Sequence, residues 1–342
     1  MSEKNETIEM VGVSRGSVLE SVHNGIAVIC DHTGEILYSW GCPNKTIYPR
    51  SSCKMLQALP LIETGLYEKL NLDSRHLAIA CSSHSASKIH TNLIGTWLNS
   101  MELSEADLRC GPQPISRISI LADPALKDVK ASQIHNNCSG KHTGFLAVSK
   151  YLHYDPEYLE IDHPVQKNVK MAFEEMTDAI SLNYGVDGCS APNFSCTLKS
   201  LATGMAKLAS PESLNGVRFK AAELIVNAMK LHPILVAGNR RACTDLMLAS
   251  EKSLVVKTGA EGVFVAIIPD LKIGIALKIM DGATRAAECA ISAILVRLGL
   301  INPKHKAVQK YLAPKVINWN GLETGSILPL ESLWKNGKPI VL

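Results

Sequence analysis

Residues 51–54 read S-S-C-K, and they open a stretch in which apolar residues recur at helical spacing from Met55 to Ile62. On a helix, side chains three residues apart lie on one face, so the Ser51 hydroxyl and the Lys54 amine can meet. A lysine that is desolvated there can take the proton of a serine and turn it into a nucleophile. The stretch therefore predicts a Ser–Lys pair at the start of the first helix.

A second motif, K-T-G at residues 257–259, separates this S-x-x-K from the other two matches in the chain, at residues 85–88 and 332–335. Only residues 51–54 follow a predicted strand pair and open a predicted helix, and K-T-G closes a predicted strand. S-x-x-K together with K-T-G is typical of β-lactamases and penicillin-binding proteins. The alternative is that Ser51 caps a helix and that Lys257 ends a strand in solvent.

The third motif of the β-lactamase set, S-D-N, is missing, and C-S-S-H-S at residues 81–85 stands in its place. A serine in this segment could relay a proton between Lys54 and Lys257. An ordinary polar loop is the alternative for any one of these serines.

The order of predicted elements indicates an α/β fold. Two strands, 25–30 and 35–40, come first, a mostly helical block follows, and strands return at 254–257, 263–269 and 272–280 before a last helix at 283–298. This order predicts a β-lactamase-like antiparallel sheet flanked by helices, with a helical subdomain inserted. We expect a discontinuous sheet domain, 10–53 plus 236–328, and a mostly helical domain, 54–235.

Composition excludes several classes of partner. The formal net charge of the 342 residues is +3 and no Lys/Arg run occurs, so we expect no nucleic-acid partner. No uncharged apolar stretch reaches the roughly 18 residues of a membrane span, and the polar N-terminus lacks a secretory signal. We therefore expect a cytoplasmic protein in which the ten cysteines stay reduced.

Five segments together resemble the class 3, Rhizobium etli-type L-asparaginases: P-R-S-S-C-K at 49–54, C-S-S-H at 81–84, H-N-N-C-S-G-K-H at 135–142, D-G-C at 187–189 and K-T-G-A-E-G at 257–262. The resemblance runs from about residue 10 to 328. It implies a homodimer, with the fold of serine β-lactamases and glutaminases, that hydrolyses the side-chain amide of L-asparagine. By position, the implied catalytic residues are Ser51 as nucleophile, Lys54 as its partner, Ser83 as a second serine and Lys257 as a downstream lysine.

A metal site is also implied by the resemblance, at Cys138, Lys141 and Cys189. Spacing alone does not indicate zinc here, because structural zinc sites use four Cys or His ligands at tight spacing, and two buried cysteines would be the better interpretation. Members of the resembled family bind zinc through the matching residues, with water as the fourth ligand. The predicted substrate-binding residues are Arg50, His135 and Asp187, and Asp187 could also hydrogen-bond the metal-bound water.

Two other functions remain open from the sequence. One is a glutaminase or another β-lactamase-fold serine hydrolase, because one methylene in a pocket gives only about 1–3 kcal/mol of discrimination. The other is a non-enzymatic metal-sensing or redox protein built on Cys138 and Cys189.

Overall fold

The computed structural model describes residues 6–342. The strands of this part of the chain are β1 Ile8–Arg15, β2 Val18–Asp31, β3 Ile36–Trp40, β4 Thr46–Ile47, β5 Tyr184–Val186, β6 Pro192–Phe194, β7 Cys196–Thr197, β8 Val255–Thr258, β9 Val263–Ile268, β10 Ile273–Ile279, β11 Lys315–Ile317 and β12 Glu323–Pro329. The helices are α1 Lys54–Glu63, α2 Leu66–Lys69, α3 Ser74–Ala80, α4 Lys88–Ser100, α5 Arg117–Ala122, α6 Ser139–Tyr151, α7 Pro164–Thr177, α8 Leu198–Ala209, α9 Gly216–Leu231, α10 Pro233–Ala237, α11 Ala242–Leu248, α12 Thr284–Arg297, α13 Lys306–Leu312 and α14 Glu331–Trp334.

The chain divides into two compact units. The sheet unit comprises Met1–Ile47, Thr197–Ala209 and Asp245–Leu342, and the helical unit comprises Tyr48–Cys196 and Ser210–Thr244. The predicted domain boundaries, 10–53 plus 236–328 and 54–235, stay a prediction.

An antiparallel sheet forms the centre of the sheet unit. Its strand order is β11-β12-β1-β2-β10-β9-β8, and β3 also pairs with β2. Every residue of β9 is buried, as expected for a strand that is covered on both faces. Helix α8 lies against β10 at Gly274, where a Cβ would overlap the carbonyl oxygen of Ala202. The predicted α/β class, an antiparallel sheet flanked by helices, is confirmed.

The helical unit is built around α1. Residues Lys54–Ile62 of this helix are all buried, against α6, α7 and α9. Proline inside a helix usually kinks or ends it. Helix α1 nevertheless continues past Pro60 to Glu63, and the Thr64 N–H bonds to the carbonyl oxygen of Pro60 at 3.1 Å.

Helices α3 and α6 touch backbone to backbone. A Cβ on Gly140, the second residue of α6, would overlap the carbonyl oxygen of Ile79 near the end of α3. This contact brings the start of α6 next to the loop that follows α3, and both segments carry predicted site residues. Within the described residues, no helix is both long and apolar enough to cross a membrane.

Candidate active site

Ser51 lies in a short 3-10 turn, Arg50–Cys53, that runs directly into α1. The turn begins with Arg50 at φ +56°, a left-handed conformation that is costly for a residue with a Cβ and often marks functional sites. Two contacts hold Arg50 in place: its backbone N–H donates to Asn193 Oδ1 at 3.2 Å, and its guanidinium contacts Asp187 Oδ1 at 2.7 Å and 2.8 Å. The backbone just before Ser51 is therefore fixed by partners from elsewhere in the helical unit.

Lys54 is fully buried and points its amine at the loop after α3. Its Nζ lies 3.2 Å from Ser83 Oγ and 3.5 Å from the carbonyl oxygen of Asn137, and it also donates to the carbonyl oxygen of Ser82. The two carbonyls can only accept. A neutral amine would donate its two N–H groups to them, and its lone pair would then accept the hydroxyl proton of Ser83. This arrangement suits a general base that acts on a serine.

The structure thus brings Lys54 to Ser83, and within the described residues Lys54 Nζ makes no hydrogen bond with Ser51. The long side chain of Lys54 extends inward, where the carbonyl acceptors of Ser82 and Asn137 lie. Ser51 is partly exposed, whereas Ser83 is 5% exposed. A substrate can therefore reach the Ser51 hydroxyl more readily than that of Ser83.

Cys138, Lys141 and Cys189 lie together in the helical unit. Cys138 is the N-cap of α6, Lys141 lies on the first turn of α6, and Cys189 follows β5 in a loop. Lys141 Nζ lies 3.2 Å from Cys189 Sγ, and the Cys138 thiol donates to Asn137 Oδ1 at 3.0 Å. All three residues are at most 4% exposed. The structure therefore brings Cys189 to two residues that precede it by about fifty positions, and their role as metal ligands stays a prediction.

The charges in this cluster depend on one another. Interaction with the Cys138 sulfur lowers the pKa of Cys189, and the same interaction together with burial raises the pKa of Cys138 to about 12. Burial opposes the charge on Lys141, but Cys189, Cys138 and Asp187 outweigh it and raise the pKa of that amine.

The donor atoms fit a zinc ion by type. Thiolates and nitrogen ligands are those that zinc prefers, and three protein ligands leave a fourth position open. The third donor is unusual, because an amine must lose its proton to bind a metal. Between residues 6 and 342, no group of three or more His, Cys, Asp or Glu side chains is arranged to hold a metal ion, so any site here depends on Lys141.

Asp187 connects the Ser51 turn to the sulfur cluster. Burial raises the pKa of its carboxyl, but Lys141 and the hydrogen-bonded Arg50 outweigh burial and hold the pKa below its usual range. The backbone N–H of Gly188 also donates to Asp187 Oδ1 at 2.7 Å. Asp187 is thus an anion with partners on both sides of the site.

Two further predicted residues, His135 and Lys257, each have local hydrogen bonds of their own. His135 ends a 3-10 turn, Gln133–His135, and its Nδ1 lies 2.9 Å from the hydroxyl of Ser132 in a local cap. Lys257 lies on β8 of the sheet unit, fully buried, with its Nζ donating to the carbonyl oxygen of Thr258 at 2.8 Å. Their roles stay predictions.

Three residues have contacts in the site that the sequence does not predict. Asn137 and Ser82 act through backbone carbonyls, which any residue type supplies, so residue identity gives no signal for them. Asn193 holds Arg50 across 143 residues of chain, and no local spacing indicates that contact.

Comparisons with known proteins identify one family. The family model described as L-asparaginase II matches residues 11–329. None of the curated proteins is similar enough to match the chain.

Among solved structures, a β-lactamase from Mycobacterium bovis is 13% identical with a TM-score of 0.42, over 77% of this chain and 89% of that one. Mglu in its native form at 4.3 M NaCl is 12% identical with a TM-score of 0.41, over 75% of this chain and 56% of Mglu. Mglu in its tris and glutamate form is 14% identical with a TM-score of 0.40, over 77% and 56%. The chain thus spans little more than half of Mglu, and these distant likenesses carry no argument about the reaction.

Proposed function

The chain belongs to the L-asparaginase II family, and we propose that it is an amidohydrolase that cleaves the side-chain amide of L-asparagine to L-aspartate and ammonia. The observation that carries the mechanism is the environment of Lys54, a buried amine in contact with a serine hydroxyl and two carbonyl oxygens, with no carboxylate among these partners. Such an amine can cycle between its neutral and charged forms as a proton leaves and returns.

The proposed reaction has two halves. The Ser51 oxygen attacks the side-chain amide carbon, its proton passes to Lys54, and Lys54 returns a proton to the amide nitrogen as ammonia leaves. Water then attacks the aspartyl ester, gives a proton to Lys54, and releases aspartate while Ser51 regains its hydrogen. Ser83 is hydrogen-bonded to Lys54 Nζ at 3.2 Å, and its hydroxyl relays the proton between Ser51 and the lysine.

Recognition of the amino-acid end falls to charged residues. The Arg50 guanidinium has five N–H donors, and only some of them contact Asp187. The others can bind the α-carboxylate of the substrate. Asp187 is an anion that can accept the α-ammonium group. His135 is the third predicted substrate residue, and Lys257 keeps its catalytic assignment on the K-T-G motif alone.

The proposal includes a zinc ion held by Cys138, Lys141 and Cys189. It also includes membership of the class 3 subtype of L-asparaginases. When bound, the ion would supply a Lewis acid that orients the substrate, since a serine already serves as nucleophile. We also propose that the protein is a cytoplasmic homodimer that binds neither nucleic acid nor membrane.

Ammonia release from L-asparagine and L-glutamine, measured side by side with purified protein, tests this function. We expect faster release from asparagine. Release from glutamine alone would replace the proposal with a glutaminase, and release from neither would overturn it.

A further inference from the structure

His84 is a buried residue without a role in the scheme above. It follows Ser83 directly and is 2% exposed. Its ring has two hydrogen bonds: the backbone N–H of Ala86 donates to Nδ1 at 3.1 Å, and Nε2 lies 2.8 Å from Ser139 Oγ. Ser139 is the first residue of α6, so the ring joins the loop of Ser83 to the start of that helix.

The directions of these bonds follow from their partners. Nδ1 accepts a hydrogen bond from the Ala86 N–H. In the neutral ring the hydrogen is therefore on Nε2, which donates a hydrogen bond to the Ser139 hydroxyl. Ser139 in turn donates to the carbonyl oxygen of Ile134 at 2.9 Å. The ring has no spare donor or acceptor. Burial and the neighbouring His90 hold the pKa of His84 well below its usual range, in keeping with a neutral ring.

Packing around the loop leaves little room for another conformation. The His84 ring stacks on His90, with centroids 5.1 Å apart and planes 14° from parallel. Ser85 lies so close to Gly238 that a Cβ there would overlap the serine side chain. The Ser83 N–H bonds to the carbonyl oxygen of Val236 at 2.9 Å.

The carbonyl of Asn137 contacts both this loop and the lysine. The oxygen of Asn137 accepts from the backbone N–H of His84 at 3.2 Å and from Lys54 Nζ at 3.5 Å. If the loop moved relative to the start of α6, both contacts and the contact of Ser83 with Lys54 would change together.

We infer that His84 is a positioning residue: its bond to Ser139 fixes the loop so that the Ser83 hydroxyl stays within reach of the Lys54 amine. The inference rests on the proposed function for the catalytic consequence only. The anchoring of the loop can be measured in the absence of any activity.

Two substitutions separate the two bonds of the ring. His84→Asn retains an acceptor for the Ala86 N–H, since asparagine bonds the backbone two residues ahead, but it cannot reach Ser139. His84→Gln can donate to Ser139 but lacks the acceptor near Ala86. Ser139→Ala removes the same bond as His84→Asn from the opposite side.

The experiment measures kcat and KM for asparagine, and amide hydrogen exchange at Ser83, in the parent, the three single variants and the His84→Asn/Ser139→Ala double variant. We expect kcat to fall about tenfold or more in His84→Asn and Ser139→Ala, with KM changed by less than about twofold. The reason is that a Ser83 hydroxyl displaced from the Lys54 amine slows the chemical step. The double variant should be no slower than the slower single variant, because one bond is lost in each case. His84→Gln should recover most of the rate.

The exchange measurement keeps the two proposals apart. Faster exchange at Ser83 in Ser139→Ala supports the anchoring even if the parent releases no ammonia from asparagine, a result that would overturn only the proposed function. Parent-like kcat and exchange in Ser139→Ala would overturn the inference. A His84→Gln variant as slow as His84→Asn would do the same, since the Ser139 bond would then not be the one that matters.

Discussion

Lys54 and Lys141 are both buried lysines of the helical unit, yet the groups that their amines contact differ in charge. Lys54 contacts a hydroxyl and two carbonyl oxygens, all uncharged. Lys141 contacts the sulfur of Cys189, with Cys138 and Asp187 close by, and these groups raise its pKa. A partner anion stabilises the charge of a buried amine, whereas hydroxyl and carbonyl oxygens bond to the amine without adding a charge of their own.

The two lysines therefore have different proposed roles. Lys54 has the surroundings of a proton acceptor, and Lys141 has those of a member of an ionic cluster. The proposed zinc ion would have to displace the proton of Lys141, with two cysteine sulfurs as the neighbouring ligands. The following substitutions test whether the two lysines differ in this way.

The largest effect is expected from Lys54→Met, which keeps most of the length of the side chain and removes the amine. Asparagine turnover should fall about a hundredfold to ten-thousandfold, the usual contribution of a general base. Lys141→Met is the matched control, and its main effect should be a lower metal content. Equal loss of kcat in both variants, with metal content unchanged, would remove the distinction between the two lysines.

The sulfur cluster is tested by Cys138→Ala and Cys189→Ala. Each removes one of only three protein ligands, so zinc content by elemental analysis should fall sharply in both, and the KM for asparagine should rise if the ion orients the substrate. Cys110→Ala, a buried cysteine outside the proposed ligand set, is the control and should keep its metal. A metal-free but fully active parent would reduce Cys138 and Cys189 to packing residues.

A smaller effect is expected at Gly140, where α6 touches α3 between the two lysine sites. Gly140→Ala should lower the free energy of unfolding by about 1–3 kcal/mol, since its Cβ would overlap the Ile79 carbonyl. Gly144→Ala, one turn later, places its Cβ 3.8 Å from Ala80 and Trp97, an ordinary contact. That variant should be neutral or gain up to about 1 kcal/mol from helix propensity. Urea unfolding of both checks the pair, and equal stability would contradict the packing described for Gly140.

Much of the fold can be predicted from periodicity. The predicted strands at 25–30 and 263–269 lie within or along β2 and β9, and the predicted helix 283–298 appears as α12 at Thr284–Arg297. Strands β1 and β12 were not predicted. Both acquire strand structure by pairing with each other, and β1 also pairs with β2. The pairing of β1 with β12 joins segments from opposite ends of the described chain, and such pairing leaves a weak local signal. The β1–β2 hairpin is local, but its turn at residues 16 and 17 was not predicted.

The site shows the same limit at the level of side chains. The S-x-x-K spacing correctly marks the turn that opens α1, but Lys54 reaches the Ser83 loop, whose acceptors include backbone carbonyls that residue types do not reveal. The contact of Lys141 with Cys189 joins residues 48 positions apart, and only the resemblance to a family indicates it.

The central claim, a covalent reaction at a lysine-activated serine, is tested most directly by trapping the intermediate. Protein mixed with L-asparagine is quenched in acid within the first turnover and digested, and its peptides are analysed by mass spectrometry. We predict an aspartyl ester on Ser51 in the parent and none in Ser51→Ala. An ester on Ser83 would exchange the roles of the two serines, and ammonia release at the parent's rate from Ser51→Ala, without any acylated serine, would contradict the mechanism.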